Sequence, residues 1–361
     1  MDLPARTLTS PPFTLDGLRE ALPALEAEAA ATDRDGGFPA DGIATLHRLG
    51  ILAAPPPDRG AEPLAMILRL LGRANLSLGR LFEGHVNALR LIRTYGHADQ
   101  YRRCAEDARD GCLFAVWNTD DREAPLRLRD GMLRGRKVLC SGAGHVARAL
   151  VTARDAPDAA PQMLLLPLSP GERADTTGWD ALGMRGSISG SVDFSGLPIE
   201  GHHIGGPGDY ERQPEFTAGA WRFAAVQCGG IEALLGALRA HHRRTGRGGD
   251  PHQAARLGQA AIAAETARLW VEAAARRAGE GAADAASYTN LARTAVERAA
   301  LDMLELAQRS IGLAGFMAGH PLERVSRDLM TYLRQPAPDA ALVAAAAHVL
   351  AAPGAAGDVW A

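Results

Sequence analysis

Apolar residues recur at three- and four-residue steps near the start of the chain, as they do on one face of a helix. Four leucines carry this spacing: Leu15, Leu18, Leu22 and Leu25. A glycine pair at 36–37 is expected to end that helix. Similar patterns predict four further helices, at about 39–50, 63–71, 78–95 and onward from 98. The sequence therefore predicts an N-terminal helical domain over residues 1–110.

The hydrophobic pattern changes after Gly111 into short runs broken by turn-forming residues. Residues 187–194 alternate small or polar side chains with apolar ones, which is typical of a strand with one buried face. Apolar runs over 146–153 and 162–167 indicate strands that are buried. A middle β domain is predicted over residues 111–205.

Helical spacing returns after a linker rich in turn formers at 205–215, with a long helix over about 216–243. Three later helices are each preceded by an aspartate that can cap the first turn: Asp250, Asp284 and Asp339. Glycines 279 and 281 are expected to end the first of these three. Because long helices joined by short loops favour an antiparallel bundle, residues 206–361 are predicted to form a helical bundle domain.

The charge balance argues against a nucleic-acid partner. The formal net charge is -3, from 39 Lys plus Arg and 42 Asp plus Glu, so no basic field attracts a phosphate backbone. The four cysteines have no metal-ligand spacing and are too few for a disulfide framework, so no metal site is predicted. Residues 1–13 lack a signal-peptide core, and no run of about eighteen apolar residues follows. We expect a cytoplasmic protein without a membrane span.

The most distinctive run in the chain is WDALGMRGS, at residues 179–187. Shorter runs flank it in order along the chain: Phe38-Pro39, Gly135 to Val138, Ser141-Gly142, Gly312 to Phe316 and Arg327-Asp328. Taken together, these runs resemble the acyl-CoA dehydrogenase superfamily over nearly the whole chain.

This resemblance implies an α+β fold that is mainly α, with an N-terminal helical domain, a middle β barrel and a C-terminal four-helix bundle. The hydrophobic pattern predicts the same order independently. The resemblance also implies FAD, with FMN as the alternative flavin, bound between the domains and subunits of a homodimer or homotetramer.

The flavin ring needs hydrogen bonds at its pyrimidine edge and an apolar wall at its face. By resemblance, five residues at two strand ends are assigned to this role: Trp117, Asn118, Thr119, Leu139 and Ser141. For Trp117 and Leu139, ordinary core packing is the alternative. One departure from the family concerns 120–123, where a glycine-serine turn is replaced by Asp-Asp-Arg-Glu, whose carboxylates would repel a pyrophosphate.

The resemblance assigns four more residues to the phosphate and adenosine parts of the flavin: Arg244, Gln308, Gly312 and Gly315. Arginine suits a pyrophosphate because its planar fork donates two parallel hydrogen bonds. The alternative for Arg244 is a solvated helix end, and for the two glycines it is a helix C-cap.

Dehydrogenases of this superfamily use a glutamate base, and neither of its usual positions carries one here. Pro336 occupies one position and Trp221 the other. Loss of a general base removes about 10²- to 10⁴-fold of rate, which argues against ordinary acyl-CoA dehydrogenation. Glu83, Glu211 and Glu215 are the carboxylates considered as replacements.

In several details the chain is similar to a second branch, the flavin-dependent monooxygenases resembling dibenzothiophene monooxygenase. These details are His85, Asn118, Lys137 with Ser141-Gly142, and the run His320 to Arg324. In such enzymes, oxygen bound to the flavin must be protected by hydrogen-bond donors and by exclusion of water. His85, Asn118 and Ser141 are the candidate catalytic donors, with a satisfied structural helix histidine as the alternative for His85. A histidine usual after the Arg-Asp pair is absent, since Arg334 and Gln335 stand there.

Three hypotheses follow. The first is an FAD-dependent oxidoreductase acting on the CH-CH group of an acyl thioester such as an acyl-CoA, with an electron-transfer flavoprotein as partner. The second is a monooxygenase supplied by a flavin reductase, and the third is a catalytically silent binding subunit. The small-molecule substrate is expected to contact Trp221, Phe223 and Tyr332.

Overall fold

The computed structural model describes residues 14–53 and 61–360. Its N-terminal part consists of helices α1 (Leu15–Asp35), α2 (Ala40–Arg48), α3 (Ala61–Ala74), α4 (Leu76–Tyr95) and α5 (Ala98–Arg109). Helix α1 begins at Thr14, whose hydroxyl accepts a hydrogen bond from Gly17 N, and ends at left-handed Gly36. Residues 1–13, where the sequence predicts no signal peptide, lie outside the described part.

The middle part contains short strands around one apolar core. They are β1 (Phe114–Trp117), β2 (Arg127–Arg129), β3 (Met132–Arg134), β4 (Arg136–Cys140), β5 (Arg148–Ala153), β6 (Gln162–Pro167), β7 (Ala174–Asp175), β8 (Gly190–Asp193) and β9 (His203–Ile204). They pair in three sheets, ordered β1-β5-β6-β9, β2-β3 and β4-β8-β7, and isolated bridges connect the sheets. Strands β1 and β5 run parallel, with Phe114 opposite Arg148 and Trp117 opposite Val151.

The predicted strand over 187–194 begins only at Gly190. Residues 185–187 form a turn of 3₁₀ helix, flanked by Met184 and Ile188, both in the left-handed region. The alternating pattern was therefore correct for β8 and wrong for the residues before it. Their backbone is instead shaped to dock on a distant helix.

The C-terminal part is helical again. It contains α6 (Glu215–Ala218), α7 (Trp221–Thr245), α8 (Pro251–Glu280), α9 (Ala285–Ile311), α10 (Pro321–Tyr332) and α11 (Pro338–Ala351). Asp250 caps α8 by accepting from His252 N and Gln253 N at 2.9 Å each. Asp284 makes no side-chain cap, because its carboxylate lies 3.6 Å from Arg277. Gly281, in the left-handed region, ends α8.

Helix α7 lies at the centre of the helical core, which includes its residues Ala224, Cys228 and Leu234. Glycines make its contact with α3 close, since a Cβ on Gly72 would overlap the Val226 carbonyl and one on Gly229 would overlap the backbone of α3. The segment Glu215–Thr245 is long and apolar enough to cross a membrane, with a mean hydropathy of 1.2 in its most apolar window, but 56% of that window is buried inside the protein. This is the pattern of a core helix.

The family-like runs at 179–187 and 327–328 meet in space. Met184 N donates to Asp328 Oδ1 at 2.6 Å, and Arg327 donates to the Leu182 carbonyl at 2.6 Å and to Asp33. Gly183 lies against the Arg327 carbonyl so closely that a Cβ would overlap it. The two runs form a structural joint between the β part and α10, and the α+β, mainly α fold predicted from the sequence is confirmed.

Candidate flavin site

The ends of β1 and β4 meet where the sequence predicts the flavin ring. Val138 N donates to the Thr119 carbonyl at 3.0 Å, so the exposed Asn118 and Thr119 lie next to β4. A β-bulge interrupts the pairing of β4 with β8 between Lys137 and Cys140. The bulge places Leu139 in the left-handed region with 58% of its surface exposed. An apolar side chain is thus held out of the core beside two polar residues.

Trp117 and Ser141 pack behind this edge. Trp117 is 2% exposed, and its indole Nε1 donates to the Ser141 carbonyl at 3.1 Å. The Ser141 hydroxyl lies 3.0 Å from that of Ser189, which in turn lies 2.9 Å from that of Ser187. The indole is therefore part of the β core, and the serine chain connects β4 to the 179–187 run.

Lys137 braces the turn that follows β1. Its ammonium group is 1% exposed and donates to Asp120 Oδ1 at 2.7 Å, to the Asn118 carbonyl at 3.1 Å and to Thr152 Oγ1 at 3.2 Å. Burial lowers the pKa of Lys137, and Asp120 opposes that shift. Thr152 also donates to Asn118 Oδ1, so one buried network fixes the Asn118 carboxamide.

The carboxylates of Asp120 and Asp121 both form ion pairs within the protein. Asp120 pairs with Lys137, and Asp121 pairs with Arg136 at 2.7 Å while accepting from Glu123 N and Ala124 N. These backbone hydrogen bonds, together with Arg136, lower the pKa of Asp121. The expected repulsion of a flavin phosphate is therefore reduced, because each charge already has a partner.

The exposed edge fits one side of a flavin ring. Leu139 supplies an apolar surface, and the Asn118 carboxamide nitrogen has no hydrogen-bond acceptor among the described residues. A polar edge beside an apolar wall is what an isoalloxazine requires. These residues can hold the ring against the protein.

His85 lies behind this edge, within the protein. It is 0% exposed, Nε2 lies 3.1 Å from the Leu52 carbonyl, and Nδ1 accepts from Phe114 N at 3.1 Å. The ring is therefore the neutral Nε2–H tautomer, with both nitrogens engaged by backbone groups. The structure brings Asn118 and Ser141 to the β1–β4 edge but does not expose His85 there. His85 anchors the start of β1.

Acidification is expected to destabilise the protein through His85. Burial lowers the pKa of His85 from 6.5 to about 4, so in that interval the unfolded chain takes up a proton here and the folded chain does not. The free energy of unfolding then falls as the pH decreases through it, by roughly 3 kcal/mol for this group. Urea denaturation at about pH 7 and about pH 4 measures the free energy of unfolding at each pH. Its decrease on acidification should be smaller for His85→Gln than for the wild type. The control variant His203→Gln changes an exposed histidine and should lose as much stability on acidification as the wild type. Equal losses in all three proteins would show that His85 is not the cause.

A polar stripe faces this region from α4. Arg80, Glu83, Asn87 and Arg90 recur at helical spacing on a helix that otherwise buries apolar residues. Arg80 donates to Glu83, Asn87 donates to the other Glu83 oxygen, and Arg222 of α7 donates to Asn87. Sequence reasoning considered only Glu83 of this stripe, although the i, i+3, i+7, i+10 spacing was a readable signal. We call these four residues with Arg222 the arginine cluster.

A narrow crevice connects the arginine cluster to the flavin edge. It is lined by Arg80 and Gly84 on one side and by Trp117 and Ser141 on the other, and encloses about 10 Å³. That is room for about one water molecule. A ring would therefore lie at the exposed rim near Leu139 rather than inside the crevice.

The three predicted substrate residues lie in different surroundings. Trp221 and Tyr332 are buried in the helical core, and the Tyr332 O–H donates to no acceptor among the described residues. Phe223 faces α9 instead, with the Arg293 guanidinium 5.2 Å from its ring centre. Two of the three adjoin the arginine cluster: Trp221, whose ring centre lies 5.8 Å from the Arg222 guanidinium, and Tyr332, whose pKa is influenced by Glu83 and Arg80.

The three carboxylates considered as replacement bases are either paired with arginine or exposed on α6. Glu83 is buried, with both carboxylate oxygens accepting hydrogen bonds from the cluster. Glu211 pairs with Arg154 at 3.0 Å, and Glu215 is an exposed residue at the start of α6. His320 caps α10, accepting from Leu322 N through Nδ1. Two of the three considered carboxylates are thus already paired, and the third lies at the start of α6.

The residues assigned to the outer flavin lie elsewhere. Arg244 is exposed in the last turn of α7, about 33 Å along that helix from Arg222 in its first turn. Gly312 caps α9 by donating to the Gln308 carbonyl, with φ 70 and ψ -154, a conformation nearly restricted to glycine. Gly315 is buried against Leu322. No hydrogen bond joins any of these four residues to the Trp117–Ser141 edge within the described part of the chain.

Comparison with known proteins agrees with this architecture. The family described as acyl-CoA dehydrogenase, C-terminal domain, matches residues 212–333. The amino sugar nitrososynthase DnmZ of Streptomyces peucetius is 28% identical over 355 residues, covering 87% of this chain and 87% of that protein.

Two solved structures have the same fold. TdsC from Paenibacillus sp. A11-2, a dibenzothiophene monooxygenase, was solved with FMN and indole; it matches with a TM-score of 0.82 and 19% identity, covering 96% of this chain and 99% of that chain. KijD3, solved with FMN and dTDP-3-amino-2,3,6-trideoxy-4-keto-3-methyl-D-glucose, matches with a TM-score of 0.79 and 23% identity, covering 96% of this chain and 95% of that chain. The chain therefore has the acyl-CoA dehydrogenase-like fold, and its residues 212–333 match the C-terminal domain of that family.

Proposed function

We propose that this protein is a flavin-dependent monooxygenase that binds FMN, reduced by a separate flavin reductase, and oxygenates a small molecule. The observation that carries the proposal is the state of the carboxylates. Glu83 is buried, is paired with Arg80 and accepts a hydrogen bond from Asn87. Asp120 and Asp121 are paired with Lys137 and Arg136, so none of these carboxylates is free to remove an α-proton at the flavin edge. Oxygenation by reduced flavin needs no such base.

The proposal assigns the following work to this chain. Leu139 covers one face of the ring, and the Asn118 carboxamide, held by Thr152, donates to its polar edge. Ser141 contributes a hydroxyl already connected to Ser189. When bound, the flavin supplies the reducing electrons and the site at which oxygen reacts. The buried wall of Trp117 excludes water from behind this edge.

Two further observations support monooxygenation over acyl-CoA dehydrogenation. TdsC is a dibenzothiophene monooxygenase and DnmZ an amino sugar nitrososynthase, and neither name refers to an acyl thioester. The arginine cluster also occupies the region between the β part and the bundle where the family would place an acyl chain. Guanidinium groups there disfavour a hydrocarbon tail, because the tail would desolvate them without pairing. The enzymatic character of the relatives also argues against a silent binding subunit.

FMN is favoured over FAD by the separation of the predicted contacts. Gln308, Gly312 and Gly315 lie at the end of α9 and make no hydrogen bond to the β1–β4 edge among the described residues, so we expect adenosine contacts from them to need a second copy. FMN lacks that adenosine. The homodimer or homotetramer stays a prediction, as does the cytoplasmic location; exposed Leu313, Phe316 and Met317 at the end of α9 are the kind of surface that oligomers bury.

Anaerobic flavin titration tests the proposal. FMN and FAD are titrated separately into the protein, and butyryl-CoA or octanoyl-CoA is added without reductant. We expect FMN to bind and to stay oxidised until an external reductant is added, and the protein then to delay hydrogen peroxide release when oxygen is admitted. Bleaching by either acyl-CoA alone would establish a dehydrogenase instead.

The variant Leu139→Asp places a charge against the ring face and is expected to weaken FMN binding at least about tenfold. Leu350→Asp changes another exposed leucine, in α11, and serves as the matched control. Equal FMN affinity in wild type and Leu139→Asp would remove the β1–β4 edge from the flavin site.

A further inference from the structure

Positive charge is in excess inside the arginine cluster. Three guanidinium groups, from Arg80, Arg90 and Arg222, share the region with one carboxylate, Glu83. Glu83 is 5% exposed at its side chain and is bound directly to Arg80. Arg222 donates to the neutral Asn87, and its guanidinium lies 5.8 Å from the Trp221 ring centre and against Gly219. Two positive charges therefore lack a carboxylate partner among the described residues of the cluster.

The pKa shifts agree with this imbalance. Burial lowers the pKa of Arg222 to about 9, with Arg90 adding to the shift and Glu83 opposing it. Burial also lowers the pKa of Arg90, and the neighbouring Arg93 adds to that shift. For Arg80, burial acts in the same direction, but Glu83 outweighs it and the pKa rises. A partly buried cation without a counter-charge is costly, and a bound anion removes that cost.

A hydroxyl group next to the cluster is also unsatisfied. Tyr332 is 5% exposed, Arg80 lies near its phenol oxygen, and its O–H donates to no acceptor among the described residues. Burial, followed by the charge of Glu83, raises its pKa well above the usual value, so the group stays protonated and can donate. A buried donor next to Arg80 and Glu83, at the edge of a cluster with excess positive charge, points to an absent acceptor.

We infer that Arg90, Arg222 and the Tyr332 hydroxyl bind an oxyanion carried by the substrate, a carboxylate, sulfonate or phosphate group. This inference rests on the proposed function and specifies its substrate class as anionic. Guanidinium forks match such oxygens in pairs, which also orients the bound molecule. The one-water crevice lined by Arg80, Trp117 and Ser141 places the flavin edge on the far side of the cluster, so the rest of the substrate has to reach the exposed rim near Leu139 outside the crevice.

Direct binding of defined anions tests the inference without flavin or oxygen. Benzoate, methanesulfonate and inorganic phosphate are titrated separately into the purified protein by calorimetry in a low-chloride buffer. We expect at least one to bind saturably at a single site per chain. Arg222→Gln and Arg90→Gln should each weaken that binding about tenfold or more, and Tyr332→Phe by a smaller factor. The preferred anion identifies the group that the substrate carries.

Arg102→Gln is the matched control, because Arg102 is an exposed arginine on α5 paired only with Asp99 in its own helix. Arg222→Lys keeps a charge without the planar fork and covers the case in which the glutamine variant does not fold; it should retain part of the affinity. Saturable binding that is equal in wild type, Arg222→Lys and Arg90→Gln, or no binding of any of the three anions, overturns the inference.

Different results would overturn the monooxygenase proposal and the anion-site proposal. An acyl-CoA that bleaches the flavin while anion binding depends on Arg222 removes the monooxygenase and leaves the anion site. Normal FMN binding and oxygen reactivity with no Arg222-dependent anion binding removes the anion site alone.

Discussion

Asp328→Ala is expected to lower the free energy of unfolding by about 3–5 kcal/mol. Asp328 is buried, accepts from Met184 N at 2.6 Å and lies 3.4 Å from the Arg324 guanidinium, whose side chain is itself buried. Removing the carboxylate leaves a buried cation and a buried backbone N–H without their partner. Urea denaturation followed by circular dichroism measures the loss.

Two comparisons separate this effect from a general loss of charge. Asp328→Asn keeps an oxygen that can accept from Met184 N and should lose less stability than the alanine variant. Asp302→Ala removes a partly exposed carboxylate paired with Arg298 one turn away in α9, and should change the free energy of unfolding by under about 0.5 kcal/mol. Similar losses in Asp328→Ala and Asp302→Ala would show that the 179–187 run does not depend on this joint.

Lys137→Met is expected to reduce both stability and FMN affinity, by about 2–3 kcal/mol and about tenfold respectively. The Lys137 ammonium is buried and donates to two groups in the turn that presents Asn118 and to Thr152 of β5. The expected stability loss is smaller than for a fully buried pair, because the Asp120 side chain is 31% exposed. Denaturation and FMN fluorescence titration of the same variant measure the two effects.

The double variant Lys137→Met with Asp120→Asn tests the cause. It removes the carboxylate that the single variant leaves uncompensated, so its stability loss should be smaller than that of Lys137→Met alone. FMN binding should stay weak in both, because neither restores the hydrogen bond to the Asn118 carbonyl. If Lys137→Met binds FMN as the wild type does, the turn is not held in place by this lysine.

The sequence by itself determined the local structure. The three- and four-residue spacing of leucines predicted α1, and Gly36 ends it because glycine adopts the left-handed conformation without strain. Asp250 and Pro251 predicted the start of α8, because an aspartate can cap the first turn and a proline is favoured at the first helical position. The ordered family-like runs were sufficient for the fold, and the strand ends at Asn118 and Leu139 do lie side by side.

Only the tertiary structure decided which side chains are free to act. From the sequence, His85 was predicted to donate a hydrogen bond near the flavin. In the fold, both of its ring nitrogens instead form hydrogen bonds with the backbone of Leu52 and Phe114, which are distant in sequence. From the sequence, Asp120 and Asp121 were expected to repel a flavin phosphate. The fold pairs them with Lys137 and Arg136, which reduces that repulsion. The unpaired charge at Arg222 likewise exists only because α4 and α7 pack together. Periodicity and capping act within a few residues of one another, whereas burial and pairing depend on contacts between elements, and these set the chemistry of the site.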